Sequence, residues 1–186
     1  LLSHDPIRTI ADLKSAKIRA HGGAAEILKE LDITVYGIPW GELPAAAERR
    51  VVTAAIIGAP ADAYSFGFGE IFSYWDDVDW FYFPMPVSIN LDTWNALPDD
   101  VKAVIEEVRD ETVAQARNLL EEAEVEAVAA LKEQTEIVKL DEAEQAKMQG
   151  VRDAAWQSWV EAREADGLAG QAVLDDFLKL LKQHGG

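Results

Sequence analysis

The spacing of apolar residues changes character near residue 91. Before this point, short apolar runs alternate with short helical patterns, and after it long helical patterns dominate. The predicted elements of the first part are a strand at 16–21, a helix at 24–32, a strand at 33–40, a helix at 41–50, a strand at 51–59 and a helix at 60–75. This rhythm is typical of βαβ units, so we expect an α/β fold with a mainly parallel sheet.

The second part predicts one long helix. Pro98 stands where a first helical position is expected, and Asp99 and Asp100 follow in the first turn. An apolar face at 3/4 spacing continues through Val101, Val104, Ile105, Val108, Thr112, Ala116, Leu119, Ala123, Ala127 and Leu131. A helix that reaches Gln134 would be ~55 Å long, so it must cross between substructures or kink.

The last part predicts a strand at 135–140 and further helices. Asp141 is expected to cap a helical region that contains Trp156 and Trp159. Gly167 and Gly170 are expected to interrupt it before a tail helix at 172–186. We expect residues 1–90 to form an α/β ligand-binding portion, with the long helix, returning strand and terminal helices of residues 91–186 packing on the same lobe.

The net charge of the chain limits the classes of molecule that it is expected to bind. Its 186 residues carry 17 Lys and Arg against 34 Asp and Glu, a net charge of −17, and no segment concentrates basic charge. Nucleic acid and anionic membrane surfaces are therefore poor partners. The absence of cysteine excludes disulfides, thiolate metal sites and cysteine nucleophiles. The first residues lack the pattern of a secretion signal, as a mature or trimmed chain would.

The sequence predicts no catalytic centre, cofactor or metal. Two of the three histidines, His4 and His184, lie near the termini, and the third is His21. The GFG segment at 67–69 lacks the third glycine of a dinucleotide loop. A solvated loop is the better interpretation of the three neighbouring carboxylates, because nothing completes a calcium loop around them; they are Asp76, Asp77 and Asp79.

Arg19 is the candidate anchor for an anion. It ends a predicted strand in the segment KIRAHGG, next to a glycine pair that opens a helix. A guanidinium in this place can bind a carboxylate through two hydrogen bonds. The alternative from spacing alone is a surface arginine on an edge strand. Because ligands bind beyond the carboxyl ends of parallel strands, the positions after Trp40 and Ile57 are also candidates.

Aromatic residues are concentrated at 75–90, in WDDVDWFYFPMPVSIN. Strand alternation would send Trp80 and Tyr82 to one side and Phe81 and Phe83 to the other. One side should be core, and the other can line a ligand cleft, with Tyr82 offering a hydrogen-bonding group. Pure core packing is the alternative.

Three segments together resemble a known family. They are PIRTIADLKSAKIRAHGG, IPWGELPAAAERRVV and VSINLDTWNALPDDVKAVIEEV. In this order they are similar to the later part of the substrate-binding proteins of tripartite ATP-independent periplasmic (TRAP) transporters, the DctP-like family. The resemblance implies a periplasmic-binding-protein-like α/β lobe with a long crossing helix and a helical C-terminal region. It also implies a non-catalytic periplasmic receptor that delivers a small organic carboxylate to a membrane permease, with Arg19 pairing with the carboxylate and Trp40 packing on the ligand.

The chain departs from the family pattern at one segment. Where the family commonly has Gly-Val-Val-Asp-Gly-x-Glu-Asn, this chain has RVVTAAII, so Ile57 replaces a polar ligand contact, and Pro44 stands where Tyr is frequent. Either the ligand is less polar on that side or the chain is a degenerate, trimmed or redesigned version with weakened binding. The expected ligand-binding residues are Arg19, His21, Trp40, Ile57, Tyr64 and Tyr82. The alternative function is an interaction or oligomerisation module that forms a homodimer through the exposed lobe surface.

Overall fold

A computed structural model of the protein describes residues 1–76 and 85–184. Tyr82 and the alternating residues 80–83 therefore lie outside the described residues. The strands are β1 (Leu2–Ser3), β2 (Ile18–Arg19), β3 (Val35–Tyr36), β4 (Ala54–Ala55), β5 (Tyr74–Asp76) and β6 (Glu136–Val138). The helices are α1 (Ile10–Ser15), α2 (Gly22–Glu30), α3 (Leu43–Glu48), α4 (Pro60–Ser65), α5 (Phe68–Ile71), α6 (Leu91–Ala96), α7 (Asp99–Gln134), α8 (Glu142–Ala165) and α9 (Gly170–His184).

The described strands form one sheet in the order β3-β2-β4-β1-β5-β6. β2 pairs in parallel with β3 and β4, and β5 pairs in parallel with β6. β1 lies between these two groups and is antiparallel to β4 and β5. The expected mainly parallel α/β sheet is confirmed, and β1 is an additional strand that the sequence pattern did not predict.

The core lies on both faces of this sheet. Because successive strand residues point to opposite faces, Ala54 and Ala55 of β4 belong to different apolar clusters. Leu13 of α1, Leu28 of α2 and Met148 of α8 share the cluster of Ala54. The cluster of Ala55 is formed mainly by residues of α3, α4, α5, β5 and α7, among them Leu43, Ala63, Phe68, Trp75 and Leu131. The sheet is therefore a middle layer covered by helices on each side.

The predicted helix 60–75 is wrong in its second half. α4 begins at Pro60 as expected but ends at Ser65, since Gly67 adopts a left-handed conformation with φ 68° and redirects the chain into the short helix α5. Trp75 lies in β5, where its register places it between Leu2 of β1 and Ile137 of β6. These partners are distant in sequence, so local periodicity could not indicate them.

Three local predictions need smaller corrections. The strand expected at 51–59 is confined to Ala54–Ala55, because Arg50 has a positive φ of 54° and Val51 turns outward. Pro98 precedes α7 as its N-cap and is not its first residue, although Asp99 and Asp100 do occupy the first turn. Asp141 precedes α8, but its side chain makes no capping hydrogen bond.

Asp76 does not lie in a solvated loop. It ends β5 and is 1% exposed, because β1 and β6 pair with the strand on either side. Its backbone amide donates to the carbonyl of Leu1 at 2.8 Å, and its own carbonyl accepts from the Leu1 amino group at 3.1 Å. Asp77 and Asp79 lie outside the described residues.

The long helix is continuous over the 36 residues of α7. Its apolar face is only partly covered. Ala127 and Leu131 near its C-terminal end are buried against α4 and α5, whereas the earlier positions are exposed; these include Val101, Val104, Ile105, Val108 and Leu119. No described helix is both long enough and apolar enough to span a bilayer.

Candidate ligand-binding site

The carboxyl ends of β2, β3 and β4 meet at one edge of the sheet. The three strands run parallel, with Arg19 of β2 in register with Tyr36 of β3 and Ala55 of β4. The amide of Ile56 continues this pairing by donating to the carbonyl of Arg19 at 2.9 Å. The segments after each strand therefore converge at this edge, where α/β sheets commonly bind ligands.

Arg19 occupies the centre of this edge. β2 lies between two other strands, and Arg19 is only 8% exposed, so the alternative of a surface arginine on an edge strand is wrong. Its Nε donates to the carbonyl of Ile38 and its Nη1 to the carbonyl of Ile56, each at 3.3 Å. Burial lowers the pKa of the guanidinium. No carboxylate of the described residues forms an ion pair with it.

Trp40 lies beside this guanidinium. It follows Pro39 at the start of a short 3-10 turn, Trp40–Glu42, which leads into α3. The Cζ atom of Arg19 lies 5.3 Å from the centroid of the indole ring, a distance at which a cation and an aromatic face attract each other. The two residues are therefore in direct contact, as a ligand clamp made of Arg19 and Trp40 would require.

His21 lies next to them at the protein surface. Its Nε2 is 3.1 Å from the carbonyl oxygen of Ile38, so His21 and Arg19 share one acceptor. His21 also occupies the N-cap position of α2 without making a side-chain capping bond. The first amides of α2 therefore begin directly beyond the strand that carries Arg19, where a helix N-terminus favours negative charge.

Two further predicted ligand-binding residues, Ile57 and Tyr64, lie at different places relative to Arg19. Ile57 is half-buried and packs against the same apolar cluster as Trp40, directly after the carbonyl that Arg19 contacts. Tyr64 is 39% exposed on α4, and the described contacts do not connect it to Arg19.

Two phenylalanines at this edge were missed by the sequence analysis. The rings of Phe66 and Phe68 lie 5.0 Å and 5.6 Å from the ring of Trp40, both edge-on to it. Their signal in the sequence is the glycine between them: Gly67 in a left-handed conformation allows the chain to turn so that the two rings stack 6.2 Å apart. Residues 66–68 thus form a turn that places two aromatic rings beside Trp40.

Glu124 lies where α7 packs against α4. Its carboxylate accepts a hydrogen bond from the amide of Ala61 at 3.3 Å. Burial raises the pKa of this carboxyl, and the nearby charge of Asp62 raises it further, against the lowering effect of the hydrogen bond. Within the described residues, no three His, Asp or Glu side chains are grouped in a way that could hold a metal ion.

Comparison with known proteins gives consistent matches. The family model described as bacterial extracellular solute-binding protein, family 7 (DctP), matches residues 2–163. The monocarboxylate 2-oxoacid-binding periplasmic protein of Nostoc sp. is 29% identical over 101 residues, which are 53% of this chain and 28% of that protein.

Solved structures share the fold. A TRAP periplasmic solute-binding protein from Desulfovibrio salexigens superposes with a TM-score of 0.72 at 26% identity, covering 97% of this chain and 57% of that one. A TRAP periplasmic solute-binding protein from Bordetella bronchiseptica, solved with (R)- and (S)-mandelate bound, superposes with a TM-score of 0.78 at 21% identity, covering 98% of this chain and 59% of that one. The chain therefore spans little more than half the length of these proteins.

Proposed function

Because this chain belongs to family 7 of the bacterial extracellular solute-binding proteins (DctP), we propose that it captures a small organic carboxylate in the periplasm for a TRAP membrane permease. The proposal includes no catalytic role and no cofactor. The chemistry of the clamp formed by Arg19 and Trp40 supports it, as does the binding of 2-oxoacids by the Nostoc protein and of mandelate by the Bordetella protein.

The observation that carries the proposal is that Arg19 is buried while the contacts described for it do not neutralise its charge. A buried cation is costly unless an opposite charge compensates it. Here two backbone carbonyls and an indole face hold the guanidinium without neutralising it. A ligand carboxylate supplies the missing charge and can form two parallel hydrogen bonds with the planar guanidinium.

The surroundings of Arg19 favour an apolar group on the rest of the ligand. Ile57 stands where the family commonly has a polar contact, and Trp40 and Phe66 add aromatic surface nearby. His21 contributes a polar edge next to the anion. We propose that Arg19, His21, Trp40 and Ile57 contact the ligand, with Tyr64 and Tyr82 as further lining residues.

The direct test is the removal of the Arg19 charge. In isothermal titration, the wild-type chain should bind mandelate and pyruvate. It should not bind mandelamide, in which a neutral amide replaces the carboxylate. Arg19→Ala should lose about 2–5 kcal/mol of binding free energy, since a buried charge pair is broken. Arg19→Lys should also bind poorly because an ammonium lacks the planar arrangement of donors.

The matched control for this test is Arg49→Ala. Arg49 is exposed on the surface, and its side chain bonds only to the carbonyl of Ala45 among the described contacts. Its removal changes the net charge as Arg19→Ala does, so a general electrostatic effect would appear in both variants. Equal affinities in the wild type and in both Arg19 variants would exclude Arg19 from the site.

The exposed apolar face of α7 favours a second candidate function, an interaction module that binds another protein chain or a second copy of itself. Ile105 and Val108 are 40% and 45% exposed on this face. Sedimentation and thermal unfolding at micromolar concentration separate the two candidates. A monomer that is stabilised by carboxylates supports the receptor, and a dimer that is indifferent to them supports the interaction module.

A further inference from the structure

Phe66 is an exposed aromatic residue in an otherwise anchored aromatic cluster. Phe68 is fully buried and contacts Phe72, which is 1% exposed, so this end of the cluster is fixed in the core. Phe66 directly follows the last residue of α4 and is 44% exposed, although its ring stacks on Phe68. Phe66 therefore exposes a large apolar side chain to solvent beside aromatic residues that are buried in the core.

The Phe66 ring and the buried cation both lie against the indole ring of Trp40. Phe66 and Arg19 both contact the ring of Trp40, at 5.0 Å and 5.3 Å from its centroid. The distance from the centroid of the Phe66 ring to Cζ of Arg19 therefore cannot exceed the sum of these two distances. A ligand with its carboxylate on Arg19 and an apolar group on the adjacent carbon can reach this aromatic surface.

We propose that Phe66 is a specificity-determining residue that makes the site select carboxylates with an aromatic substituent over those with a small one. This inference rests on the proposed function, because it assumes a carboxylate on Arg19. An aromatic substituent gains apolar contact area and an edge-to-face or offset contact with the Phe66 ring. A methyl group in the same position is too short to use most of that surface.

A purely structural role for Phe66 makes a different prediction. If the ring only held Trp40 in place, its loss would disturb the partner of Arg19, and every carboxylate would bind more weakly by a similar factor. The ratio of two affinities therefore distinguishes the two roles. Mandelate and lactate are suitable probes because they share a 2-hydroxycarboxylate group and differ only in a phenyl against a methyl group.

The experiment is isothermal titration of the wild-type chain and three variants with both probes. Phe66→Ala should weaken mandelate binding by about 10-fold and lactate binding by less than about 3-fold, since a ring contact of this kind contributes on the order of one factor of ten. Phe66→Leu retains apolar volume, so its affinity for mandelate should lie between those of the wild type and Phe66→Ala. Phe177→Ala is the matched control, because Phe177 of α9 is 43% exposed and lies outside the aromatic cluster.

Each result has a defined meaning. A similar loss for both probes, or no loss for either, in Phe66→Ala would overturn the specificity role while leaving the receptor function in place. A wild-type chain that binds lactate but not mandelate would also overturn it. Binding of neither probe by the wild type would contradict the proposed function itself, and the inference with it. If Phe66→Ala does not fold, as judged by circular dichroism, the same ratio is determined with Phe66→Leu.

Discussion

The carbonyl oxygen of Ile38 connects the polar side chains of the candidate site. It accepts from Nε of Arg19 at 3.3 Å and lies 3.1 Å from Nε2 of His21, which fixes the direction of both groups. Burial lowers the pKa of Arg19, but a guanidinium loses its proton only far above neutral pH, so the cation persists. Neutral partners thus orient the charge without cancelling it, and it stays available to a ligand.

Glu124 is an acidic group whose charge should oppose folding. Burial raises the pKa of its carboxyl, so the native state holds its proton more tightly than the unfolded chain does. The stabilising contribution of the protonated form is present below the unfolded pKa and is lost as the pH rises through the higher native pKa. At pH 7 the charged carboxylate is therefore less favourable than a neutral group of the same shape.

We expect Glu124→Gln to raise the melting temperature at pH 7 and to have no effect near pH 3. The amide oxygen can still accept from the amide of Ala61, and the stability gain should stay below about 1 kcal/mol because the side chain is partly solvated. Thermal unfolding across this pH range measures it. Glu126→Gln, at an exposed position of α7, is the control. A lower melting temperature at pH 7 would show that the charge is favourable there.

Single residues differ in how far their role could be predicted. Arg19 and Trp40 were identified because a cation at a strand end before two glycines, and the family segments, are local features of the sequence. The burial of Arg19 and the position of Phe66 depend on more distant features. β2 is central only because β3 and β4 pair on both sides, and Phe66 meets Trp40 only because the chain turns at Gly67.

At the scale of elements, the packing of α8 against α9 depends on a close approach at Gly170. This residue begins α9, and an added Cβ would lie 2.8 Å from the carbonyl oxygen of Val160 and 3.1 Å from Cβ of Arg163. The first of these atoms belongs to the backbone of α8 and cannot move independently. The glycine therefore sets how closely the two helices approach.

We expect Gly170→Ala to destabilise the protein by about 1–3 kcal/mol, because the two helices must separate to admit a methyl group. Gly150→Ala is the matched comparison, since Gly150 lies within α8 with nothing within 4 Å of an added Cβ. That variant should gain about 0.5–1 kcal/mol from better helix propensity. Urea unfolding of both variants gives the two free energies. A Gly170→Ala chain as stable as Gly150→Ala would contradict the proposed close packing.

The elements that the sequence predicted well are those with a long local signal. The apolar repeat and the acidic first turn placed α7 within a residue of its true start, since helical hydrogen bonds join near neighbours. The sequence predicted the bounds of the strands less well, because each strand contains only two or three residues and is defined by the strands with which it pairs. β1 and β5 show this most clearly, because each lies against strands far away in the sequence.

For the molecule as a whole, the sequence predicted an apolar face on α7 but could not indicate what covers it. The last turns of α7 are buried, yet Val104 and Leu119 are exposed in a chain that spans 57% of its Desulfovibrio relative. Residues on both sides of position 91 contribute to the same two clusters, as Leu131 and Met148 show. The division at residue 90 into a ligand-binding portion and a packing portion stays a prediction.

The net charge of −17 should make the stability of the whole molecule depend on salt. Like charges repel each other most strongly in the compact state, and added salt screens this repulsion as the Debye length falls from about 30 Å at 0.01 M to about 8 Å at 0.15 M. The described ion pairs offer little opposing stabilisation, because most of their side chains are largely solvated; Arg8 and Glu136, for example, are 3.7 Å apart and 50% and 64% exposed.

We therefore expect the melting temperature to rise by about 2–4 °C between 0.01 M and 0.15 M NaCl, which corresponds to about 1 kcal/mol for a chain of this size. Differential scanning calorimetry measures this shift. The same series in choline chloride is the control, because it supplies equal ionic strength without a small cation that carboxylates could bind. A similar rise in both salts identifies screening of the acidic surface as the cause. A melting temperature that falls with salt would mean that attractive ion pairs outweigh the repulsion, despite the exposure of their side chains.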